Sequence, residues 1–181
     1  MTTKTILVWG FCVLLGFSFV SQVNAEEEGW RIEQDIRIGD FTFQSHRNEM
    51  VGKKFQILCA SETVFSSTKE YYAIKVMTVG EPVSIPSNPA GIARDVTKDG
   101  TPDLIVEVHS GGAHCCFGYY AFSLDRPLKK MFYIDDIDTE FELNDVDDDR
   151  VYELMGYDDV FNYWNTSHAE SPYPAVILRY E

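Results

Sequence analysis

Two stretches of the chain carry oxygen-bearing side chains at a spacing that suits a hard metal ion. The first is DVTKDGTPD, residues 95–103, with side-chain oxygens at positions 1, 3, 5 and 9 and glycine at position 6. Ca²⁺ takes about six to eight oxygen ligands, and a tightly wound loop presents alternate residues to its centre. Gly100 suits the sharp turn because glycine tolerates a positive φ. The predicted ligands are Asp95, Thr97, Asp99, Asp103 and the backbone carbonyl of Thr101.

The same pattern returns 50 residues later, in DVDDDRVYE, residues 145–153. Arg150 takes the position of Gly100, which either weakens this loop or requires a strained left-handed residue. Carboxylates this close repel one another without a cation, so we expect both loops to bind Ca²⁺. The alternative is a pair of metal-free turns, because Asp favours turns in any case. The predicted ligands here are Asp145, Asp147, Asp149, Glu153 and the backbone carbonyl of Val151.

A second group of metal-ligating residue types comprises His109, His114, Cys115 and Cys116. Such a group can hold zinc or copper, although the C-x₂-C spacing of many zinc sites is absent. The alternative is a Gly-Gly turn fastened by a disulfide, which is expected in an exported protein. Adjacent strand residues point to opposite faces, which disfavours a bond between Cys115 and Cys116. We therefore expect Cys59 to pair with one of these two cysteines.

Residues 1–25 are typical of a Sec signal peptide. Lys4 precedes an apolar run over residues 5–20, and Val23-Asn24-Ala25 ends in the small residue that signal peptidase needs. The run is shorter than the roughly 20 residues of a membrane-spanning helix. We therefore expect cleavage after Ala25 and a secreted or periplasmic protein with no membrane attachment.

Acidic residues outnumber basic residues in the mature chain, residues 26–181. Removal of the leader, which contains one Lys and no acidic residue, changes the net charge from −14 to −15. Residues 135–159 alone contain 12 acidic residues and a single base, Arg150. Such a surface repels nucleic acid and anionic membranes and attracts cations. The expected partner is therefore a protein or a glycan, and no nucleic acid.

Residue patterns predict an all-β protein with few short helices. Residues 31–38 and 41–43 alternate apolar and polar side chains around a Gly39-Asp40 turn, which predicts a hairpin. Residues 61–69 and 165–170 could each form one or two helical turns. Three prolines make residues 82–89 a loop. We predict one domain, with a hairpin-rich half at 26–90 and a loop-bearing half at 91–181. Further strands are predicted at 55–60, 71–79, 104–108, 119–124, 131–134 and 175–180.

The two acidic loops resemble the FG-GAP/VCBS-type repeats of integrin-like β-propellers, in which a DxDxDGxxDL loop between blades binds calcium. Leu104 and Leu154 extend the match beyond the ligand positions, whereas Thr97 and Arg150 depart from it. The GGAHCC segment is similar to one in uncharacterised bacterial secreted proteins. The resemblance implies a partial β-propeller-like stack of antiparallel strands. A full propeller needs about four to eight blades, so either the stack is open and incomplete, or another chain completes it, as in a homo-oligomer.

Catalytic motifs are absent from the chain: it contains no GxSxG, HExxH, phosphate-binding or dinucleotide-binding sequence. An alternative is a secreted hydrolase that uses a glycosidase-like pair of carboxylates. The aromatic residues Phe161, Tyr163, Trp164 and Tyr173 could bind sugars, but we expect them to fill the core. The sequence therefore favours an exported calcium-binding interaction module over an enzyme.

Overall fold

A computed structural model describes residues 29–79, 92–112 and 116–181. The predicted signal peptide, the proline-rich loop, His114 and Cys115 lie outside these residues. The described parts contain one 3₁₀ turn, at His168–Glu170, and no helix long and apolar enough to cross a membrane. The strands are β1 (Arg31–Ile38), β2 (Phe41–Asn48), β3 (Gly52–Cys59), β4 (Glu62–Ser66), β5 (Ala73–Val76), β6 (Asp103–His109), β7 (Phe117–Ser123), β8 (Lys129–Ile137), β9 (Glu142–Asn144), β10 (Glu153–Tyr157) and β11 (Ala175–Leu178).

Among the described residues the strands form three antiparallel sheets, none of them closed, which confirms the predicted all-β class. The first sheet is the meander β1-β2-β3-β4, the second is the meander β5-β6-β7-β8, and the third has the order β11-β10-β9. β5 precedes the proline-rich segment in sequence, and β6 follows it. Because these two strands pair, the two halves of the chain share one sheet.

The second sheet is buried on both of its faces. Along β6, Leu104 and Val106 pack in a core with Phe43 of the first sheet, whereas Ile105 packs in another core with Leu143 of the third sheet. A strand covered on both faces needs a continuous apolar run rather than strict alternation. Full burial of each such side chain stabilises the fold by about 1.5–3 kcal/mol.

Residues 61–69 do not form the helical turns that we predicted. Ala60 and Ser61 both have left-handed backbone, with φ of 50° and 73°, and make the turn from β3 into β4. β4 then pairs with β3 and places Phe65 against Phe55, with ring centroids 5.5 Å apart. Pairing and aromatic burial therefore override the weak helical tendency of this segment.

Phe141 fastens the third sheet to the second. Its ring stacks on Tyr119 at 5.5 Å, and its backbone N–H donates to the Tyr119 hydroxyl over 2.6 Å. The ring lies so close to Gly156 of β10 that an added Cβ would be 1.9 Å from its Cδ1 atom. Glycine is thus required at this position, and the contact sets where β9 and β10 lie.

The aromatic segment between β10 and β11 does not fill the core as we expected. Tyr163 and Trp164 are each 62% exposed, and Phe161 and Tyr173 are half-buried. The two cores are instead filled by the sheets themselves. These aromatic side chains are therefore available to a ligand.

Candidate metal centre

The two acidic loops lie side by side at one edge of the packed sheets. The first loop, residues 95–103, leads into β6, and the second loop, residues 145–153, connects β9 to β10. The backbone N–H of Tyr152 donates to the carbonyl of Val96 over 2.8 Å. Lys98 Nζ donates to the carbonyl of Asp149 over 3.0 Å. Docking of the third sheet on the second therefore joins two loops that are remote in sequence.

The loops share a backbone conformation at their fourth and sixth positions. Lys98 and Gly100 have φ of 63° and 94° in the first loop. Asp148 and Arg150 have φ of 62° and 71° in the second. Of the two alternatives for Arg150, the structure has the left-handed one, so this loop keeps its shape without the glycine. A non-glycine residue in this region costs about 1–2 kcal/mol.

The loops also share three hydrogen bonds from backbone N–H groups to acidic side chains. In each loop the backbone N–H of position 6 donates to the side chain of position 1, that of position 7 to position 5, and that of position 2 to position 9. In the first loop the bonds are Gly100 to Asp95 (2.9 Å), Thr101 to Asp99 (2.8 Å) and Val96 to Asp103 (3.0 Å). In the second loop they are Arg150 to Asp145 (3.0 Å), Val151 to Asp149 (2.7 Å) and Val146 to Glu153 (3.1 Å). The sequence repeat is thus also a structural repeat.

Three predicted ligands converge in the second loop. Asp145, Asp147 and Asp149 each offer a carboxylate oxygen, and these three atoms lie within 4.8 Å of one another. Oxygens at about 2.3–2.6 Å from a shared Ca²⁺ have separations of this size. No other group of three such side chains is found among the described residues, so the carboxylates of the first loop converge less closely.

Each loop holds one buried carboxylate oxygen that has no hydrogen-bond partner within the described residues: Oδ1 of Asp103 and Oδ1 of Asp145. Asp103 is only 2% exposed, and its other oxygen accepts bonds from the backbone of Val96 and from the backbone and hydroxyl of Thr97. Burial raises the pKa of Asp103. An unsatisfied buried acceptor is costly, and a cation would satisfy it. The donor set therefore fits a hard metal ion.

Arg179, just after β11, inserts its guanidinium among the acids of the second loop. Nη2 lies 2.6 Å from Asp149 Oδ2, and Nη1 lies 3.1 Å from Glu153 Oε1 and 3.6 Å from Asp147 Oδ2. A hydrogen bond from Val151 and the Arg179 guanidinium together lower the pKa of Asp149. Sequence reasoning missed Arg179 because 26 residues separate it from Glu153. The guanidinium and a metal ion would compete for the same carboxylates.

Glu107 is a second acidic site that the sequence did not reveal. Its side chain is 8% exposed and lies 3.7 Å from Lys75 Nζ, which also contacts Glu140 at 2.7 Å. Burial raises the pKa of Glu107 to about 7, although Lys75 opposes the shift. The Tyr119 hydroxyl donates to it over 3.4 Å. A lysine between two carboxylates, one of them buried, makes an ion-pair network rather than an open acid–base pair.

The predicted cross-link from Cys59 is wrong, because Cys59 is a free thiol. Strand direction explains this. Cys59 is the last residue of β3, and Lys53 lies near the other end of that strand. Lys53 bridges to Tyr71, and the next residue, Tyr72, donates its N–H to the carbonyl of His109. Cys116 lies at that distant end, because it precedes the residue that pairs with His109. Six residues of strand span about 20 Å, which no disulfide can bridge.

His109 and Cys116 are the described members of the predicted transition-metal group. Cys116 is disulfide-bonded, which removes its thiolate as a metal ligand. The ring of His109 packs against Phe117 at 4.6 Å and against Tyr72 at 6.0 Å. The described part of this group therefore has the features of an aromatic cluster rather than of a metal site.

Comparison of the chain with known protein families, with characterised proteins and with solved structures gave no match. Function therefore has to be inferred from the side chains of the site, since a fold alone does not define one.

Proposed function

We propose that this protein is an exported calcium-binding β module that recognises a protein or glycan partner. The convergence of Asp145, Asp147 and Asp149, in a loop whose hydrogen bonds repeat those of the first loop, is the observation that supports it. In this proposal each loop binds one Ca²⁺ through the side chains at its positions 1, 3, 5 and 9 and the carbonyl at position 7. We also propose that the three sheets act as a partial blade stack, which a second copy would complete.

Calcium has a structural role in this proposal. An ion that binds only the folded protein stabilises it by about 2.7 kcal/mol at a hundredfold excess over Kd. Because Val96 and Tyr152 join the loops, an ion in one loop restrains the other. Calcium would thereby hold the third sheet against the second. It would also fix the conformation of the surface beside the two loops, where a partner could bind.

Thermal unfolding in Ca²⁺ and in EGTA tests the proposal. For a domain of this size we expect calcium to raise Tm by about 5–10 °C, with a smaller effect from Mg²⁺. The double variant Asp147→Asn/Asp149→Asn should lose most of this rise. Glu62→Gln removes a charge from an exposed position outside both loops and should keep the rise. Coincident melting curves in Ca²⁺ and EGTA would contradict the proposal.

The same variants separate this proposal from the hydrolase alternative. If the loop carboxylates performed glycoside hydrolysis, the double variant would lose turnover while its folding still responded to calcium. In the module proposal, calcium affinity and thermal stability fall together. Isothermal titration of both variants with Ca²⁺, alongside the melting curves, distinguishes the two.

A further inference from the structure

An open aromatic cleft of about 330 Å³ lies in the segment between β10 and β11, apart from the metal centre. Its walls are Phe161, Trp164, Pro172, Tyr173 and Pro174. Trp164 is 62% exposed although it is one of the largest apolar side chains in the protein. Large exposed aromatic side chains around a concavity mark binding sites on soluble proteins.

The turn that carries Trp164 is held in an unusual conformation. Its neighbours Tyr163 and Asn165 both have left-handed backbone, with φ of 59° and 56°. The buried hydroxyl of Ser171 accepts from the N–H of Tyr163 over 2.9 Å and donates to the carbonyl of Ser167 over 2.9 Å. These bonds hold the turn around Trp164, and left-handed non-glycine residues cluster at functional sites.

The rings are close enough to act on one ligand group. The centroids of Phe161 and Trp164 are 5.4 Å apart, with 38° between the ring planes. A cation is attracted to an aromatic face when it lies within about 6 Å of the centroid, so one cation can interact with both rings. Tyr173 forms a third wall of the same cleft.

The surroundings of the cleft are negatively charged. Residues 157–174 contain Asp158, Asp159 and Glu170 and no Lys or Arg. The Tyr173 hydroxyl donates to Asn162 over 3.2 Å, and the Asn162 amide donates to Asp138 over 2.9 Å. Asp159 in turn accepts from the N–H of Asp138 over 3.1 Å.

These carboxylates have no internal counterion among the described residues. Within the described residues, no ion pair engages the acids of this group, Asp138, Asp158, Asp159 and Glu170. Their hydrogen bonds come from neutral donors only. An anionic ligand would be repelled here, whereas a cationic ligand would be attracted.

We propose that the aromatic cleft formed by Phe161, Trp164 and Tyr173 binds an organic cation of the quaternary ammonium class. Methyl groups on the nitrogen suit the apolar walls, and the spread positive charge suits both the ring faces and the carboxylates around Asp138. A bare metal ion would need a cage of oxygens, which three rings and two prolines do not offer. A neutral sugar could stack on the rings and donate its hydroxyls to the carboxylates, but it would lack the charge attraction that a cation gains from them.

Titration with choline, compared with its uncharged isostere 3,3-dimethylbutan-1-ol, tests this inference. Both ligands fill the same space, but only choline carries a positive charge. We expect choline to bind at least about tenfold more tightly, as cation–π and carboxylate attraction together would provide. Ligand-observed NMR or calorimetry, performed in EGTA and again in Ca²⁺, makes the result independent of the metal centre.

Three variants complete the experiment. Trp164→Ala should weaken choline binding by at least about tenfold. Asp138→Asn/Asp159→Asn keeps the hydrogen-bond acceptors and should abolish most of the preference for choline over the isostere. Trp30→Ala is the matched control, because Trp30 lies far from the cleft in sequence and is covered by Lys54. It should bind choline as the unaltered protein does.

Several results would overturn the inference. Equal affinity for choline and its isostere would mean that the cleft is merely apolar. Unchanged binding in Trp164→Ala, with its fold verified by Tm, would place the ligand elsewhere. Absence of choline binding at tens of millimolar, or binding of a neutral oligosaccharide that choline does not displace, would refute the cationic ligand.

Discussion

The backbone N–H of Tyr152 donates a hydrogen bond to the carbonyl oxygen of Val96 over 2.8 Å, and this bond joins the two acidic loops. Val96 is buried in the core between the second and third sheets, and its own N–H bonds to Asp103. We therefore expect a change in the ligands of one loop to affect the other through this bond.

Arg179→Gln should tighten calcium binding to the second loop. The guanidinium contacts Asp149, Glu153 and Asp147, so a metal ion must displace it or share the carboxylates with it. Removal of a like charge at this range should raise the affinity about five- to tenfold in low salt, and less in high salt. Isothermal titration measures the change. Arg37→Gln, on β1, is the control, and unchanged or weaker binding in Arg179→Gln would argue against an ion in this loop.

Arg150→Gly should stabilise the second loop and also tighten its calcium binding. Arg150 has φ of 71°, which glycine adopts without steric cost. We expect the free energy of unfolding to rise by about 0.5–1 kcal/mol. The gain is small because glycine also makes the unfolded chain more flexible, which offsets part of the strain energy removed from the folded state. Gly100→Arg, at the same position of the first loop, is the reciprocal variant and should lose stability. Urea unfolding in EGTA and calcium titration measure both, and changes of the same sign in the two variants would contradict the shared conformation.

Glu107 should make the protein less stable as the pH rises through the range from about 5 to 7. Its pKa rises from 4.5 to about 7 on folding, so the folded state holds a proton that the unfolded state has released. Stability is therefore greatest below the unfolded pKa and falls until the folded pKa is passed, by at most about 3 kcal/mol. Lys75, Glu140 and Tyr119 face this carboxyl group and modulate the slope.

Glu107→Gln isolates that contribution. The amide cannot ionise, so urea unfolding at several pH values in EGTA should show a shallower decline in the variant than in the unaltered protein. At pH 8 the variant should be the more stable of the two, because the buried charge is gone. Parallel pH profiles would show that Glu107 does not titrate in this range.

Gly156→Ala should destabilise the protein by at least about 2 kcal/mol. The added methyl group would lie 1.9 Å from Cδ1 of Phe141, and overpacking of this kind forces side chains and strands apart. Because Phe141 fastens the third sheet, calcium affinity should fall too. Phe141→Leu in the same chain should restore part of the loss, which a double-mutant cycle measures. Additive effects of the two changes would contradict the contact.

Features with a local cause could be predicted from the sequence. Alternation over residues 31–38 produced β1 because a period of two is the geometry of a strand with unequal faces. The second loop kept the shape of the first despite Arg150, since its acids cap backbone N–H groups only a few residues away. Residues 61–69 were less decisive: we expected one or two helical turns, and pairing with β3 made residues 62–66 a strand instead.

Contacts between residues remote in sequence were decided only by the tertiary structure. Strand direction leaves Cys59 far from Cys116, and sheet docking determines that Val96 meets Tyr152. The same docking brings Arg179 into the second loop. Residue type and spacing along the chain carry the turn, cap and strand preferences, because these depend on neighbours within a few positions. The charge on Glu107 depends instead on its burial, because burial raises its pKa. That burial arises only when the sheets pack together, so the neighbouring residues in the sequence do not predict it.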